Sequence, residues 1–361
     1  MMLYLNQNKE GRSVVYMIDL RSDTVTKLTD RMRQEMFKAE VGDDVYRDDP
    51  TIQKLEELAA DMLGKEEALF VTSGTQGNQI AVLVHCSLGQ EIILEEGSHI
   101  FRYEGGATSA FAGIQPFPIK GERGIMRAVD VEAAIRGTDI HEAETGLICL
   151  ENTHNRAGGT VMSPEKMKEI YEVAERHRIP IHLDGARLMN AAVALKRPMT
   201  DFTQYVTTVQ ICLSKGLGAP VGSIIAGSTE FIAKARKWRK RLGGGLRQAG
   251  VLAAPGIVAL TEMIDRLKED HEHAAWLASQ INSIPGLNVA SEVETNIVMM
   301  DVSETELTSK QFVEKLKDHG VLANPFAPTI VRLVTHYDVS KADIHQTGEV
   351  LKNIVTSNVG S

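Results

Sequence analysis

Cysteine is scarce in this sequence. Three stand in 361 residues, Cys86, Cys149 and Cys212, and they match no zinc-ligand spacing. Each lies in an apolar stretch, such as Val209-Gln210-Ile211-Cys212-Leu213. They read as buried, reduced thiols, which makes the cytoplasm the expected compartment. No run of about 18 apolar residues occurs, which argues against a membrane span. Residues 1–16 are polar and mixed and lack the apolar run of a signal peptide. A new pattern starts at Met17, so 1–16 are expected to be a disordered extension. Positive charge is not in excess. The formal net charge of -9 argues against nucleic acid or an anionic membrane as the main partner. A small anionic ligand stays open, since it needs only a local cluster of cations. Repeats, low-complexity segments and long linkers are absent. So is a G-x-x-x-x-G-K-[ST] loop, and Gly216-x-Gly218-x-x-x-Gly222 misses the dinucleotide spacing by one. Nucleotide readings lose ground accordingly.

Hydrophobic residues make up 43% and charged residues 24%, ordinary usage for a globular protein with a sizeable core. Short apolar runs alternate with amphipathic stretches. Ala68–Thr72, Glu91–Leu94, Gly146–Glu151, Ile179–Asp184, Thr207–Leu213 and Gly222–Ala226 read as strands. A helix is expected after Ser73 through about His85. Another opens at Ser163-Pro164-Glu165, with Ser163 as N-cap and Pro164 in the first turn. This alternation implies an α/β fold, a mostly parallel sheet covered by helices on both faces. In such sheets ligands bind at the carboxyl ends of the strands. Near residue 265 the pattern changes. A long helical stretch runs from Val251 through Asp270, then short strands at Asn296–Met300 and Ile330–Val334 flank a helix near Ser309–His319. The expected division is a large domain over 17–265 and a smaller α+β domain over 266–361.

Asp184 ends one apolar strand, and Lys215, in Leu213-Ser214-Lys215-Gly216, follows the next. Alone, the first would pass as an N-cap or surface carboxylate and the second as a solvated lysine. Together, one β-α-β unit apart, they are what pyridoxal-phosphate (PLP) chemistry needs. The lysine forms the Schiff base, and the carboxylate pairs with the pyridinium nitrogen and keeps the ring an electron sink. Ser73-Gly74-Thr75, between a strand and a helix, offers free N–H groups to a phosphate, although every β-α-β unit has such a loop. His99 follows the Glu91–Leu94 strand on the same edge and is suited to stack on a flat ring. Tyr103, one helical turn later, lines the same pocket in this reading. A substrate carboxylate calls for a guanidinium. Arg187 stands three residues after Asp184, and Arg332 sits inside an apolar strand, where it must find a partner or a cavity. Arg236-Lys237-Trp238-Arg239-Lys240-Arg241 reads either as a charged helix face or as a functional cluster leading into Gly243-Gly244-Gly245.

Five stretches together resemble the threonine aldolases of the fold-type-I PLP superfamily. They are Asp19-Leu20-Arg21-Ser22-Asp23-Thr24-Val25-Thr26, Val41-Gly42-Asp43-Asp44-Val45-Tyr46, Glu151-Asn152-Thr153-His154-Asn155, Asp184-Gly185-Ala186-Arg187 and Leu213-Ser214-Lys215-Gly216-Leu217. The resemblance runs from about Met17 to the end of the sequence. It implies a large PLP-binding domain and cleavage of L-threonine or L-allo-threonine to glycine and an aldehyde. It casts Lys215 as the Schiff-base lysine, Asp184 as the pyridinium partner and His99 as the stacking ring. Ser73, Gly74 and Thr75 fall at the phosphate. Ser22, Arg187 and Arg332 fall at the substrate carboxylate, and His141 near the substrate side chain. Lys240 and Arg247 resemble basic residues that reach a neighbouring subunit's site. The assembly it implies is a homotetramer with sites shared across dimer interfaces. No metal site is implied. Arg47 and Arg102 depart from the pattern: the family usually has a small residue at the first, and an arginine beside the stacking histidine is unusual. The base that takes the β-hydroxyl proton is left among His99, His141 and a water. In-class rivals are β-elimination and transamination, and the out-of-class rival is a non-catalytic PLP-binding protein.

Overall fold

The structure, a computed structural model, describes residues 3–8, 11–137 and 139–358. The chain divides into two compact units, one formed by Leu28–Ile264 and the other by Met1–Lys27 with Asp265–Ser361.

The larger unit is built on a seven-stranded sheet. Its strands lie in the order Glu67–Val71, Ser223–Gly227, Thr208–Cys212, Ile181–Asp184, Thr145–Glu151, Glu91–Glu95, Gln115–Ile119. Ser223–Gly227 runs antiparallel to both of its neighbours, and all other pairings are parallel. The mostly parallel sheet read from the sequence is therefore present, with one inverted strand. Ile92, Leu94, Leu147 and Cys149 point into one buried cluster with Val82 and Ile100, while Leu69, Val71 and Ile225 pack with Ile80, Phe231 and Ile232 in another. The strands read as near-continuous apolar runs because little of either face meets water. Gln115–Ile119 was not anticipated. Pro116 and Pro118 remove two ladder donors, which a strand tolerates at a sheet edge, where this one lies.

Local signals set the helix ends. Pro164–His177 starts with Pro164 in its first turn and with Ser163 Oγ accepting from Lys166 N–H. It stops at Arg178, whose φ of 57° is left-handed and whose N–H returns to Ala174 and Glu175 carbonyls. The expected continuous helix from Val251 is two helices, Gly250–Glu262 and Leu267–Asn282, broken over 263–266 where the two units divide.

In the smaller unit, Asn288–Val289, Ile297–Asp301, Ile330–Val334 and Asn324–Pro325 form an antiparallel sheet. Helices Leu267–Asn282, Ser309–Asp318 and Lys341–Asn358 enclose a core of Leu277, Ile281, Phe312, Leu316, Leu333 and Leu351. Ile18 and Leu20 complete that core, and Ile18–Asp19 pairs in parallel with Val321–Leu322. Residues 17–27 thus belong to this unit and not to the large one, a change from the sequence-based division. Leu3–Asn8 and Gly11–Tyr16 pair as two antiparallel strands, where disorder was expected. No described helix is long and apolar enough to cross a membrane. Cys149 and Cys212 are buried and all three cysteines are free, with burial pushing the Cys86 thiol up to about 12.

Candidate active site

Glu151, Asp184 and Gln210 stand abreast, in register near the carboxyl ends of three adjacent parallel strands. The chain leaves the sheet sharply after Asp184. Gly185 N–H donates to Gln210 O at 2.7 Å, and a Cβ on Gly185 would lie 2.7 Å from that same oxygen. Glycine is therefore required there. Helix Gly74–His85 begins beside these strand ends, with Ser73 Oγ accepting from Gln76 N–H at 3.2 Å. Its first intrahelical bond, Gly77 N–H to Ser73 O, leaves the N–H groups of Gly74 and Thr75 ahead of it. A Cβ on Gly74 would meet Cys212 Sγ at 3.0 Å, so the cradle is closed on that side.

One pocket of the larger unit gathers Gly74, His99, Asp184, Arg187 and Lys215. Asp184 is held by Asn78 Nδ2–H at 2.8 Å and by the Ala186 N–H at 3.1 Å. Arg187, buried, donates to Asn155 Oδ1 at 3.3 Å. The His99 main-chain N–H donates to Glu151 Oε2 at 2.6 Å, and its ring Nδ1 lies 3.0 Å from Glu104 Oε1. Burial alone would depress the His99 imidazole. The Glu104 bond and the charges of Asp184 and Glu104 outweigh both burial and Lys215 and raise it above the ordinary range.

Thr153 Oγ1 and Gln210 Oε1 line the same pocket, buried and without a hydrogen-bond partner among the described residues. Each such orphan costs about 1–3 kcal/mol, so a ligand with polar groups suits this space better than an apolar one. A lysine amine, a hydrogen-bonded carboxylate and a helix N-terminus around one cavity fit an aldehyde, a ring nitrogen and a phosphate, the three handles of PLP.

Behind Asp184 lies a chain of contacts that the sequence did not disclose. Asn78 Nδ2 bridges Asp184 Oδ2 and Glu104 Oε1, 2.8 Å from each. Asn78 Oδ1 accepts from His182 Nε2 at 3.0 Å, which fixes the amide's orientation. His182 Nδ1 is 3.0 Å from Thr208 Oγ1, and His85 Nε2 is 3.1 Å from the same hydroxyl. Burial holds both histidines neutral, depressing His182 to about 3 and His85 to about 4. One signal was available: His182 precedes Asp184 by two and so shares its strand face. The ligand atoms of His99, Glu104 and Asp184 lie within 4.8 Å of one another. The Asn78 amide already bridges the two carboxylates.

Other expected site residues lie elsewhere. His141 is 83% exposed, bonded to Asp139 at 2.7 Å, and does not line the pocket. The Tyr103 ring centroid is 5.7 Å from that of His99, and its hydroxyl accepts from Arg156 Nη1 at 2.9 Å, away from the lining. Lys240 is exposed, and Arg247 pairs with Asp43 at 3.0 Å. Ser22 and Arg332 belong to the smaller unit. There Ser22 caps Asp23–Val25, and Arg332 Nη2 donates to Arg21 O at 3.4 Å. Of the two departures, Arg47 has a φ of 63°, in the left-handed region that favours glycine. Arg102 donates to Glu96 O at 2.6 Å and lies over the Phe101 ring.

The beta-eliminating lyase family profile matches residues 19–305. A low-specificity L-threonine aldolase of Arabidopsis thaliana is 46% identical, with 92% of this chain and 95% of that protein covered. Its counterpart in Escherichia coli strain K12 is 44% identical over 91% of this chain and 96% of that one. Among solved structures, a threonine aldolase of Leishmania major superposes with a TM-score of 0.82 at 21% identity, covering 94% of this chain and 99% of the other. Sequence and fold converge, and the chain belongs to the beta-eliminating lyase family, where it groups with the low-specificity L-threonine aldolases.

Proposed function

We propose that this protein is a PLP-dependent threonine aldolase, cleaving L-threonine and L-allo-threonine to glycine and acetaldehyde. The observation that carries this is the convergence of Lys215, Asp184, His99 and Arg187 on one pocket, in a chain whose relatives bear that name. Lys215 holds the cofactor, Asp184 pairs with its ring nitrogen, and Ser73, Gly74 and Thr75 take its phosphate. Bound there, PLP supplies an electron sink for the bond that breaks. Arg187 binds the substrate carboxylate, a role that the family resemblance gives also to Ser22 and Arg332. His99 is the histidine that lines the pocket, and it takes the β-hydroxyl proton. That oxygen's electron pair becomes the aldehyde carbonyl as Cα–Cβ breaks. The pair left at Cα takes up a proton, giving glycine. His141, Lys240 and Arg247 belong in this reading to a homotetramer, in the cytoplasm, whose copies share sites. The exposed Phe37, Tyr46, Leu88 and Ile140 side chains suit faces that another copy covers.

Purified protein with PLP should release acetaldehyde and equimolar glycine from one or both isomers, read through an alcohol dehydrogenase consuming NADH. Lys215→Ala should abolish release and the cofactor's bound absorbance. Pyruvate and ammonia in place of aldehyde would establish β-elimination instead. Light scattering tests the tetramer.

A further inference from the structure

We propose that Glu104 is a positioning residue for His99, fixing the ring with its Nδ1–H turned to the buried carboxylate so that Nε2 is the nitrogen offered to the ligand. Glu104 lies outside the motifs that carry the family resemblance. It is 4% exposed and sits two residues past the short helix His99–Arg102. Three groups meet its carboxyl. Oε1 accepts from Asn78 Nδ2 at 2.8 Å and Oε2 from Gln79 Nε2 at 2.6 Å, while His99 Nδ1 stands 3.0 Å from Oε1. Burial and the nearby Asp184 push its carboxyl up, against these bonds. A carboxylate matches what faces it: the Asn78 and Gln79 amides each present an N–H, and a protonated Glu104 would have to donate to His99 Nδ1 instead. The orientation of Asn78 is set by His182, so that donor cannot turn away. The proposal places the shared proton on the imidazole, so that Glu104 is a carboxylate and His99 Nδ1 its third donor.

Groups from every side act on this ring. Glu104 and Asp184 favour the imidazolium and Lys215 opposes it. The Tyr103 ring lies beside it, and Glu151 holds its main-chain N–H. With Nδ1–H tied to a carboxylate, only Nε2 exchanges a proton in the accessible range. A histidine–carboxylate pair of this kind sets both the tautomer and the basicity of the ring. The inference rests on the aldolase reading for its catalytic consequence, but its geometry stands without cofactor or substrate.

The test uses the protein freed of cofactor and labelled with 15N at histidine, with the His99 signals assigned from His99→Gln. Wild-type protein is expected to show the neutral His99 ring protonated at Nδ1, with a midpoint above the ordinary histidine value. Glu104→Gln, which keeps the shape and removes the charge, should lower that midpoint by at least one pH unit, with Glu104→Asp restoring part of the shift. In the loaded enzyme, the acid limb of kcat/KM should move by the same amount and KM should change little. A neutral wild-type ring protonated at Nε2 would overturn the proposal without any variant, and so would an unmoved midpoint in Glu104→Gln. Neither result bears on whether threonine is cleaved, and failure of threonine cleavage would leave the titration unchanged.

Discussion

The amide of Asn78 holds two carboxylates and a histidine at once, so removing it should cost far more than an average polar truncation. The residue is 1% exposed, and Asn78→Ala deletes its bonds to Asp184 and Glu104, each 2.8 Å long. Hydrogen bonds to charged groups contribute about 1.5–3 kcal/mol apiece, so their loss alone comes to about 3–6 kcal/mol. The His182 N–H would also lose its acceptor, adding about 1–3 kcal/mol unless water enters. Asp184 and Glu104 would then face one another with no donor between them. Urea unfolding of the cofactor-free protein reads this directly. Trp238 belongs to the larger unit and Trp276 to the smaller. Trp238 emission in a Trp276→Phe background therefore follows the unit in question. With a slope of about 2 kcal/mol per molar urea, a loss of about 3 kcal/mol moves the midpoint down by about 1.5 M. A loss below about 1 kcal/mol with an unchanged slope would show that the amide does not bridge the carboxylates, and the description of the site would fail with it.

Acid should loosen the same unit. His85 and His182 are held neutral by burial, depressed to about 4 and about 3 from an ordinary 6.5. Below pH 6.5 the unfolded chain binds protons that the folded one refuses, so their contribution is present above that pH and is lost as pH falls toward 4. Each contributes a slope of up to about 1.4 kcal/mol per pH unit. Urea midpoints between pH 7 and 5 should fall accordingly, and His85→Gln should flatten the dependence by up to half. In the other direction, Arg178→Gly should stabilise the protein. Arg178 ends its helix at a φ of 57°, where glycine escapes the Cβ penalty. A gain of about 0.5–1 kcal/mol, seen as a rise of about 1–3 °C in Tm, is expected.

Much of this was written locally in the chain. Apolar runs gave six strands of the main sheet because strands covered on both faces tolerate few polar residues. Lys215 and Asp184 stood out because each follows or ends such a run. What stayed hidden depends on distant partners. Glu104 and Asn78 acquire meaning only through each other, 26 residues apart, and Asn78 meets Asp184 across 106. Tyr103 was placed by its position one turn after His99 and His141 by the family resemblance, and neither lines the pocket of its own chain. Gln115–Ile119 was masked by its prolines, and the helix break over 263–266 carries no proline or glycine to announce it. Nothing near Ile18 reveals that its strand partner is Val321.

That last pairing has a consequence for how the protein is made. In the smaller unit the strand Ile18–Asp19 pairs with Val321–Leu322. At about 5–20 residues per second, roughly 300 residues separate their appearance by about 15–60 s. The larger unit is contiguous and can close while synthesis continues. Through that interval Ile18 and Leu20, both core residues of the finished smaller unit, have no core to enter. The order of assembly is thus imposed by the route of the chain: the cofactor cradle comes first, and the unit carrying Ser22 and Arg332 comes only when the last helices emerge.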